Sequence, residues 1–186
     1  GEFVNIPNVR ITAVCDVLRE KTDKAKAIVE KAGQPSPAVY VNGDRGYEEL
    51  LKRDDIDLVY IATPWEWHVP QSLAAMNAGK HACSEVPAAY TLKELWQRVD
   101  TSERTRKHMM MMESCCYDYD ELLILNMVRA GVFGELVHGE AAYNHDLRAI
   151  LFETKDEGLW RRAHHMLRDS NLYPTHGLGP VANYMN

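Results

Sequence analysis

The sequence lacks the features that would place the protein in a membrane, on a nucleic acid or in a disulfide-linked scaffold. No apolar run approaches the roughly 20 residues that span a bilayer. The net charge is −6, so we predict no basic surface for nucleic acid and no basic membrane anchor. The four cysteines show no Cys-x-x-Cys spacing, and we interpret them as small buried apolar residues.

A β-α-β unit over residues 57–87 is the clearest pattern that is present. Residues 58–62 form a short apolar run typical of a strand that is buried in a parallel sheet. Apolar side chains then recur at helical spacing until Gly79, which is suited to end a helix. Residues 81–84 predict the second strand. The chain is therefore predicted to be an α/β protein.

Polar and aromatic residues follow both strands of this unit. In an open α/β sheet, ligands bind beyond the carboxyl ends of the strands. The alternative is that the tryptophans only cover the sheet and the histidine only starts the helix. Taking the two loops together, we expect a cofactor to be bound by Thr63, Pro64, Trp65, Glu66, Trp67, His68, Glu85 and Val86.

Residues 9–16 predict another strand, which ends in Asp16. An acid at this position binds the ribose hydroxyls in dinucleotide-binding folds, although a strand-terminal Asp also suits a turn. The Gly-x-Gly-x-x-Gly turn that seats a pyrophosphate should precede Asp16 by about 20 residues. Only 15 residues precede it, and none of them fits. We therefore expect a sequence truncated at both ends, which binds NAD weakly by itself.

Two helix starts and a change in the pattern of polar and apolar residues complete the predicted organisation. Thr22 is expected to cap the first helix, and Thr91 with Glu94 predicts a capping box for a later one. Residues 136–143 mix polar and apolar side chains like a half-exposed strand. We predict an incomplete Rossmann-type domain over residues 1–134. Residues 135–186 are expected to begin an α+β, largely antiparallel second domain.

Two strings of the first half resemble a known family. They are IATPWEWH (residues 61–68) and AMNAGKHACSEVPAA (residues 75–89), and they resemble the oxidoreductase family of glucose–fructose oxidoreductase and inositol dehydrogenase. The forms Trp-Glu-Trp-His and Glu-Val-Pro are similar to its branch of NAD-dependent glycoside hydrolases, family 109. Val86 stands where ordinary dehydrogenases of the family carry a lysine that acts as acid or base. This difference argues against a plain dehydrogenase.

The string NLYPTHGLGP (residues 171–180) is similar to a sugar-site motif of the same branch. The resemblance implies His176 as the main acid/base, with Tyr173 and Tyr117 as weaker catalytic candidates. Ser114 stands where the branch carries an Asn that contacts the cofactor, so we include it among the cofactor-binding candidates. The implied substrate-binding residues are Tyr143, Arg161, Arg162, Tyr173, Pro174, Thr175 and His176.

The resemblance implies a glycosidase that holds NAD tightly. Its catalytic cycle would oxidise the sugar, eliminate the aglycone, add water and then reduce the sugar again. The substrate would be a hexosaminide such as an α-N-acetylgalactosaminide. The alternatives are an NAD(P)-dependent sugar or inositol dehydrogenase and a non-catalytic NAD-binding protein. We predict no metal, because the spacings of His145, Asp146, His164, His165 and His176 match no standard ligand pattern. A homo-oligomer formed through the second domain is expected. For the location of the protein, the cytoplasm and export in folded form with the cofactor are both open alternatives.

Overall fold

The structure is a computed structural model that describes residues 2–154 and 157–186. Its strands are β1 (Ala13–Cys15), β2 (Ala38–Tyr40), β3 (Leu58–Ile61), β4 (His81–Ser84) and β5 (Met109–Met111). Its helices are α1 (Arg19–Lys31), α2 (Tyr47–Leu51), α3 (His68–Asn77), α4 (Leu92–Thr105), α5 (Tyr119–Arg129), α6 (Arg148–Leu151), α7 (Glu157–Leu167) and α8 (Thr175–Tyr184). Strands and helices alternate from β1 to α5, which confirms the predicted α/β class.

Contacts divide the chain into two compact units. Unit 1 comprises residues 1–60, 70–82 and 97–109, and unit 2 comprises residues 61–69, 83–96 and 110–186. Within unit 1, β1 and β2 form a parallel pair in the register Ala13–Ala38, Val14–Val39 and Cys15–Tyr40. Helices α1 and α2 both contact this pair.

The remaining strands form a sheet in the order β3-β4-β5. The His81 N–H donates to the Asp57 carbonyl at the start of the β3–β4 pair. The Glu85 N–H donates to the Ile61 carbonyl at its end. Both strands therefore run in the same direction, and with α3 between them they confirm the predicted β-α-β unit. Gly79 has φ of +79°, as a glycine that ends a helix requires.

Helix α4 begins with the predicted capping box, but its apolar face is not buried. The Glu94 N–H donates to Thr91 Oγ1 at 3.2 Å and the Thr91 N–H to Glu94 Oε2 at 3.0 Å, which completes the capping box. The apolar stripe of α4 nevertheless stays exposed, with Leu92 at 71%. The helix is therefore held by its cap and by other faces, including the buried Arg98.

Two local predictions are wrong. Helix α1 begins at Arg19, so Thr22 lies inside its first turn, and the Thr22 hydroxyl donates to the Arg19 carbonyl instead of capping the helix. Residues 136–143 form no strand, because alternation alone does not provide a partner strand, and the described chain offers none there. The regular structure described after residue 135 is helical. No described helix has the length and apolar character needed to cross a bilayer.

Candidate functional site

One histidine ties together the loops that follow β3 and β4. His68 begins α3, and only 1% of the residue is exposed. Its Nδ1 lies 2.9 Å from the Pro87 carbonyl oxygen and its Nε2 lies 2.9 Å from the Thr63 carbonyl oxygen. His68 therefore holds the two loops in a fixed relation, and its own contact with a cofactor stays a prediction.

The other residues of these loops differ in exposure. Trp65 and Val86 are buried, Glu66 is exposed, and Thr63, Pro64, Trp67 and Glu85 are half-buried. Ala62, directly after β3, is exposed. These loops lie beyond the carboxyl ends of parallel strands, where cofactors of such sheets bind, and their contacts with NAD stay predictions.

Asp16 and Ser114 also follow strands directly or closely. The Leu18 N–H donates to Asp16 Oδ1 at 2.8 Å, which is a turn contact that leaves Oδ2 for a ribose hydroxyl. Ser114 begins the 3-10 turn that follows β5. Their roles in binding NAD stay predictions.

A cluster of aromatic rings surrounds Trp65. The ring of Tyr173 stacks on Trp65 with centroids 5.7 Å apart, and the ring of Trp160 meets Trp65 edge-on at 5.1 Å. The Arg161 guanidinium lies over the Trp160 ring at 4.5 Å and 5.2 Å from the Trp65 centroid. Arg162 makes no such contact in the described chain. The structure therefore distinguishes the two arginines, and Arg161 is the one that joins the cluster.

A polar group that the sequence did not predict borders this cluster. The Tyr90 hydroxyl lies 3.0 Å from His164 Nε2 and donates to Glu66 Oε2 at 3.4 Å. The Arg168 guanidinium lies over the Tyr90 ring at 4.2 Å. Burial, followed by the nearby Glu66 carboxylate, raises the pKa of Tyr90. The hydroxyl therefore stays protonated near neutral pH and can donate.

His176 is paired with a buried carboxylate. It lies in the first turn of α8, and its Nδ1 is 2.5 Å from Glu113 Oε1. The side chains are 10% and 6% exposed, respectively. The Cys115 N–H also donates to Glu113 Oε1, at 3.1 Å. Glu113 Oε2 is buried without a hydrogen-bond partner among the described residues. The pair can therefore hold and exchange a proton away from bulk water.

Two tyrosines lie against His176. Their ring centroids are 4.4 Å away for Tyr143 and 4.8 Å away for Tyr173. Burial raises the pKa of Tyr173 to about 12, which the nearby Arg161 opposes and the Glu85 carboxylate reinforces. Tyr173 is therefore a neutral phenol at physiological pH and can donate a hydrogen bond to a substrate.

Two glycines allow α8 to approach its neighbours closely. A Cβ on Gly179 would lie 2.8 Å from Cys116 Sγ and 3.1 Å from Glu113 Cγ. A Cβ on Gly177 would lie 3.3 Å from the Ala141 carbonyl group. The absence of a side chain at Gly179 thus allows α8 to pack closely against Glu113.

Two cavities border this site. One of about 490 Å³ is lined by His176, Gly177 and residues of α5 and α8, and this volume is in the range of small-molecule sites. A second of about 270 Å³ is lined by residues that include Tyr143 and Tyr173. Tyr117, in contrast, is 59% exposed and makes no ring contact with His176 in the described chain.

The remaining predicted substrate residues sit at the start of α8. The Pro174 carbonyl accepts from the N–H groups of Gly177 and Leu178, so Pro174 shapes the helix start. Thr175 Oγ1 is buried and lacks a partner among the described residues, which leaves it able to bind a ligand hydroxyl. Their substrate contacts stay predictions.

Glu113 is the functional residue that sequence reasoning missed. A signal was present, since Glu113 follows a strand closely, as Asp16 and Glu85 do in this chain. Acids at strand ends are placed where ligands of parallel sheets bind.

Comparison with known proteins covers nearly the whole chain in two matches. Residues 3–113 match the model of the oxidoreductase family with an NAD-binding Rossmann fold. Residues 117–186 match the model of the glycosyl hydrolase 109 C-terminal domain. A glycosyl hydrolase family 109 protein of Solibacter usitatus is 55% identical over 99% of this chain and 42% of its own length. An alpha-N-acetylgalactosaminidase of Shewanella oneidensis is 52% identical over 100% of this chain and 40% of its own length.

Solved structures agree on the fold. A myo-inositol 2-dehydrogenase of Lactobacillus plantarum matches with a TM-score of 0.64 at 21% identity, over 73% of this chain and 38% of its own. An NAD-binding protein of Listeria innocua matches with a TM-score of 0.60 at 30% identity, over 78% of this chain and 42% of its own. The chain spans about two-fifths of the length of the curated relatives it matches. The predicted resemblance is thus confirmed, and the chain belongs to the oxidoreductase family with an NAD-binding Rossmann fold.

Proposed function

We propose that the full-length protein containing this chain is a glycosidase that retains NAD and acts on a hexosaminide of the α-N-acetylgalactosaminide type. The observation that carries the proposal is the buried pair of Glu113 and His176, flanked by Tyr143 and Tyr173. The printed name of the Shewanella oneidensis relative supports the choice of substrate.

The residues that would hold NAD are the loop residues after β3 and β4, with Asp16 at the adenosine ribose. When bound, NAD supplies reversible hydride transfer, which interconverts the C3 hydroxyl of the sugar and a ketone. His176 takes the proton of the C3 hydroxyl as the hydride leaves. Because Nδ1 faces Glu113, Nε2 is the ring nitrogen available to the sugar. The Glu113 carboxylate stabilises the imidazolium that forms.

A ketone at C3 makes the neighbouring C2 proton acidic. A base removes that proton, and the bond between C1 and the aglycone oxygen breaks, with the electron pair staying on the oxygen. Water then adds at C1 and a proton returns to C2. The reverse of the first step would restore the C3 hydroxyl, with the hydride returning to C3 and His176 returning its proton to the C3 oxygen. Tyr173 is a neutral phenol at physiological pH and is suited to hold a proton beside the sugar. Tyr117 stays a weaker candidate for the same task.

The second candidate function is an ordinary sugar or inositol dehydrogenase. Val86 argues against it, because a buried apolar side chain cannot exchange a proton at the position where such dehydrogenases carry lysine. Release of free sugar oxidation product together with NADH would favour this function. We also infer a small carbohydrate as the partner molecule, and association of copies through residues 135–186 stays a prediction.

The deciding experiment is turnover of the full-length protein in deuterium oxide. Elimination removes the C2 proton in every cycle, so the released sugar should carry deuterium at C2. Direct displacement at C1 cannot introduce it. Mass spectrometry and proton NMR of the sugar measure the incorporation, and a glycosidase with two catalytic carboxylates serves as the control. Product without deuterium at C2 would reject the mechanism, and a full-length protein that binds NAD but releases no sugar would favour the non-catalytic alternative.

A further inference from the structure

The pair of Glu113 and His176, together with Cys115, brings three types of zinc ligand close to one another. A carboxylate oxygen of Glu113, Cys115 Sγ and a ring nitrogen of His176 all lie within 4.8 Å of one another. Glu113 and Cys115 lie in or next to the 3-10 turn after β5, and His176 lies in the first turn of α8. The set is therefore assembled by tertiary structure and has no spacing motif in the sequence.

The carboxylate of this set is incompletely satisfied. Glu113 Oε1 accepts from the Cys115 N–H and faces His176 Nδ1, whereas Oε2 is buried and has no partner among the described residues. A buried anionic oxygen without a donor costs free energy. A bound cation would remove that cost, so this oxygen is an independent indication of a ligand.

We propose that Glu113, Cys115 and His176 form a zinc-binding site that inhibits the enzyme. Thiolate, imidazole and carboxylate are the side chains that zinc prefers, and three protein ligands with one water is a common zinc coordination. Zinc–ligand distances of about 2.0–2.3 Å separate neighbouring ligand atoms by roughly 3.5 Å. The three ligand atoms, which lie within 4.8 Å of one another, are therefore near the separations that zinc requires.

Binding exchanges protons for the ion. Cys115 loses its thiol proton to solvent, and His176 must present a lone pair, so the proton between Nδ1 and Glu113 moves to Nε2 or to solvent. No electron is transferred. With zinc bound, His176 and Glu113 no longer share a mobile proton, and turnover stops. This inhibition rests on the proposed function, whereas the binding itself does not.

The first test is calorimetric titration of zinc chloride into the full-length, NAD-bound protein. We expect one zinc ion per chain for the wild type and for Cys116→Ser, the matched control at the adjacent cysteine. Cys115→Ser should weaken binding by at least about tenfold, since even removal of an outer-shell partner has an effect of that size. Circular dichroism verifies that each variant is folded. Absence of zinc binding, or equal affinity in Cys115→Ser, would overturn the site.

A second measurement reports the ligands directly. Cobalt(II) in place of zinc should give a near-ultraviolet thiolate-to-metal charge-transfer band in the wild type and in Cys116→Ser, but not in Cys115→Ser. Activity is assayed on the same samples, with and without a chelator. Reversible loss of activity on metal binding supports both proposals. Metal bound with full activity would keep the site and remove His176 from the proposed chemistry.

Discussion

Two histidines at helix starts have opposite surroundings. His68 opens α3 with both ring nitrogens against backbone carbonyl oxygens. His176 lies in the first turn of α8 with one nitrogen against the carboxylate of Glu113 and with two tyrosine rings beside it. Both follow a proline-containing loop, so their sequence contexts are alike.

The difference lies in the partners. Backbone carbonyls are neutral and fixed, so a ring between them joins two pieces of chain and has little freedom to pass a proton on. A carboxylate stabilises the charged form of the ring, which a residue that accepts protons in turnover requires. We therefore propose that His68 holds the two loops in position and that His176 accepts and returns protons in turnover. The following predictions test that division.

The largest expected effect is the loss of turnover in His176→Ala of the full-length protein. Removal of one positioned acid/base typically reduces the rate by ~10²–10⁴-fold. NAD should stay bound, because His176 does not join the cofactor loops, whereas the melting temperature should fall, because the buried Glu113 carboxylate loses its partner. Initial rates, the absorbance of retained cofactor and calorimetry measure the three quantities. Normal turnover would transfer the proton-transfer role to Tyr173 or Tyr117.

A substitution of His68 should affect stability more than chemistry. His68→Ala removes the buried ring that lies between the carbonyl groups of the half-buried Thr63 and Pro87, and a buried group left without its hydrogen bond costs about 1–3 kcal/mol. We expect a lower urea midpoint with the per-site rate of the folded fraction retained. His68→Gln, which keeps a donor, is the matched control and should recover part of the loss. Unchanged stability combined with weaker NAD binding would instead assign His68 to the cofactor.

A smaller effect is expected from Glu113→Gln. The amide keeps the shape and one acceptor oxygen but removes the charge, so a charge-assisted hydrogen bond becomes a neutral one. The difference of about 1–1.5 kcal/mol corresponds to a rate loss of roughly tenfold. Steady-state kinetics on Glu113→Gln and Glu113→Ala measure it, with the larger loss expected for Ala. A Glu113→Gln enzyme as slow as His176→Ala would mean that Glu113 contacts the sugar itself.

The sequence predicted best those features that depend on residues close together along the chain. The β-α-β unit, the capping box and the loops of residues 62–68 and 85–87 follow from periodicity and from residue types next to strand ends. The pairing of Glu113 with His176 joins residues that are 63 positions apart, and no pattern along one sequence encodes that distance. The predicted strand over residues 136–143 is wrong because alternation is a property of one segment, whereas a strand needs a partner.

Resemblance contributed what periodicity did not. It indicated His176 and Tyr173, which the structure brings together, but it left the choice between Arg161 and Arg162 open. The stacking of the Arg161 guanidinium on Trp160 distinguishes them, and this contact depends on the phase of α7, a helix that the sequence analysis did not predict.

The packing around Trp65 also gives the site an optical signal of its own. Of the four tryptophans, Trp65 is buried, whereas Trp96 on α4 is largely exposed. A buried indole emits at shorter wavelength than one in water, and the His164 ring, 5.1 Å from Trp65, can quench it. Separation of α7 from the Trp65 ring would therefore shift and brighten the emission. The wavelength of the tryptophan emission therefore reports whether α7 is packed against Trp65.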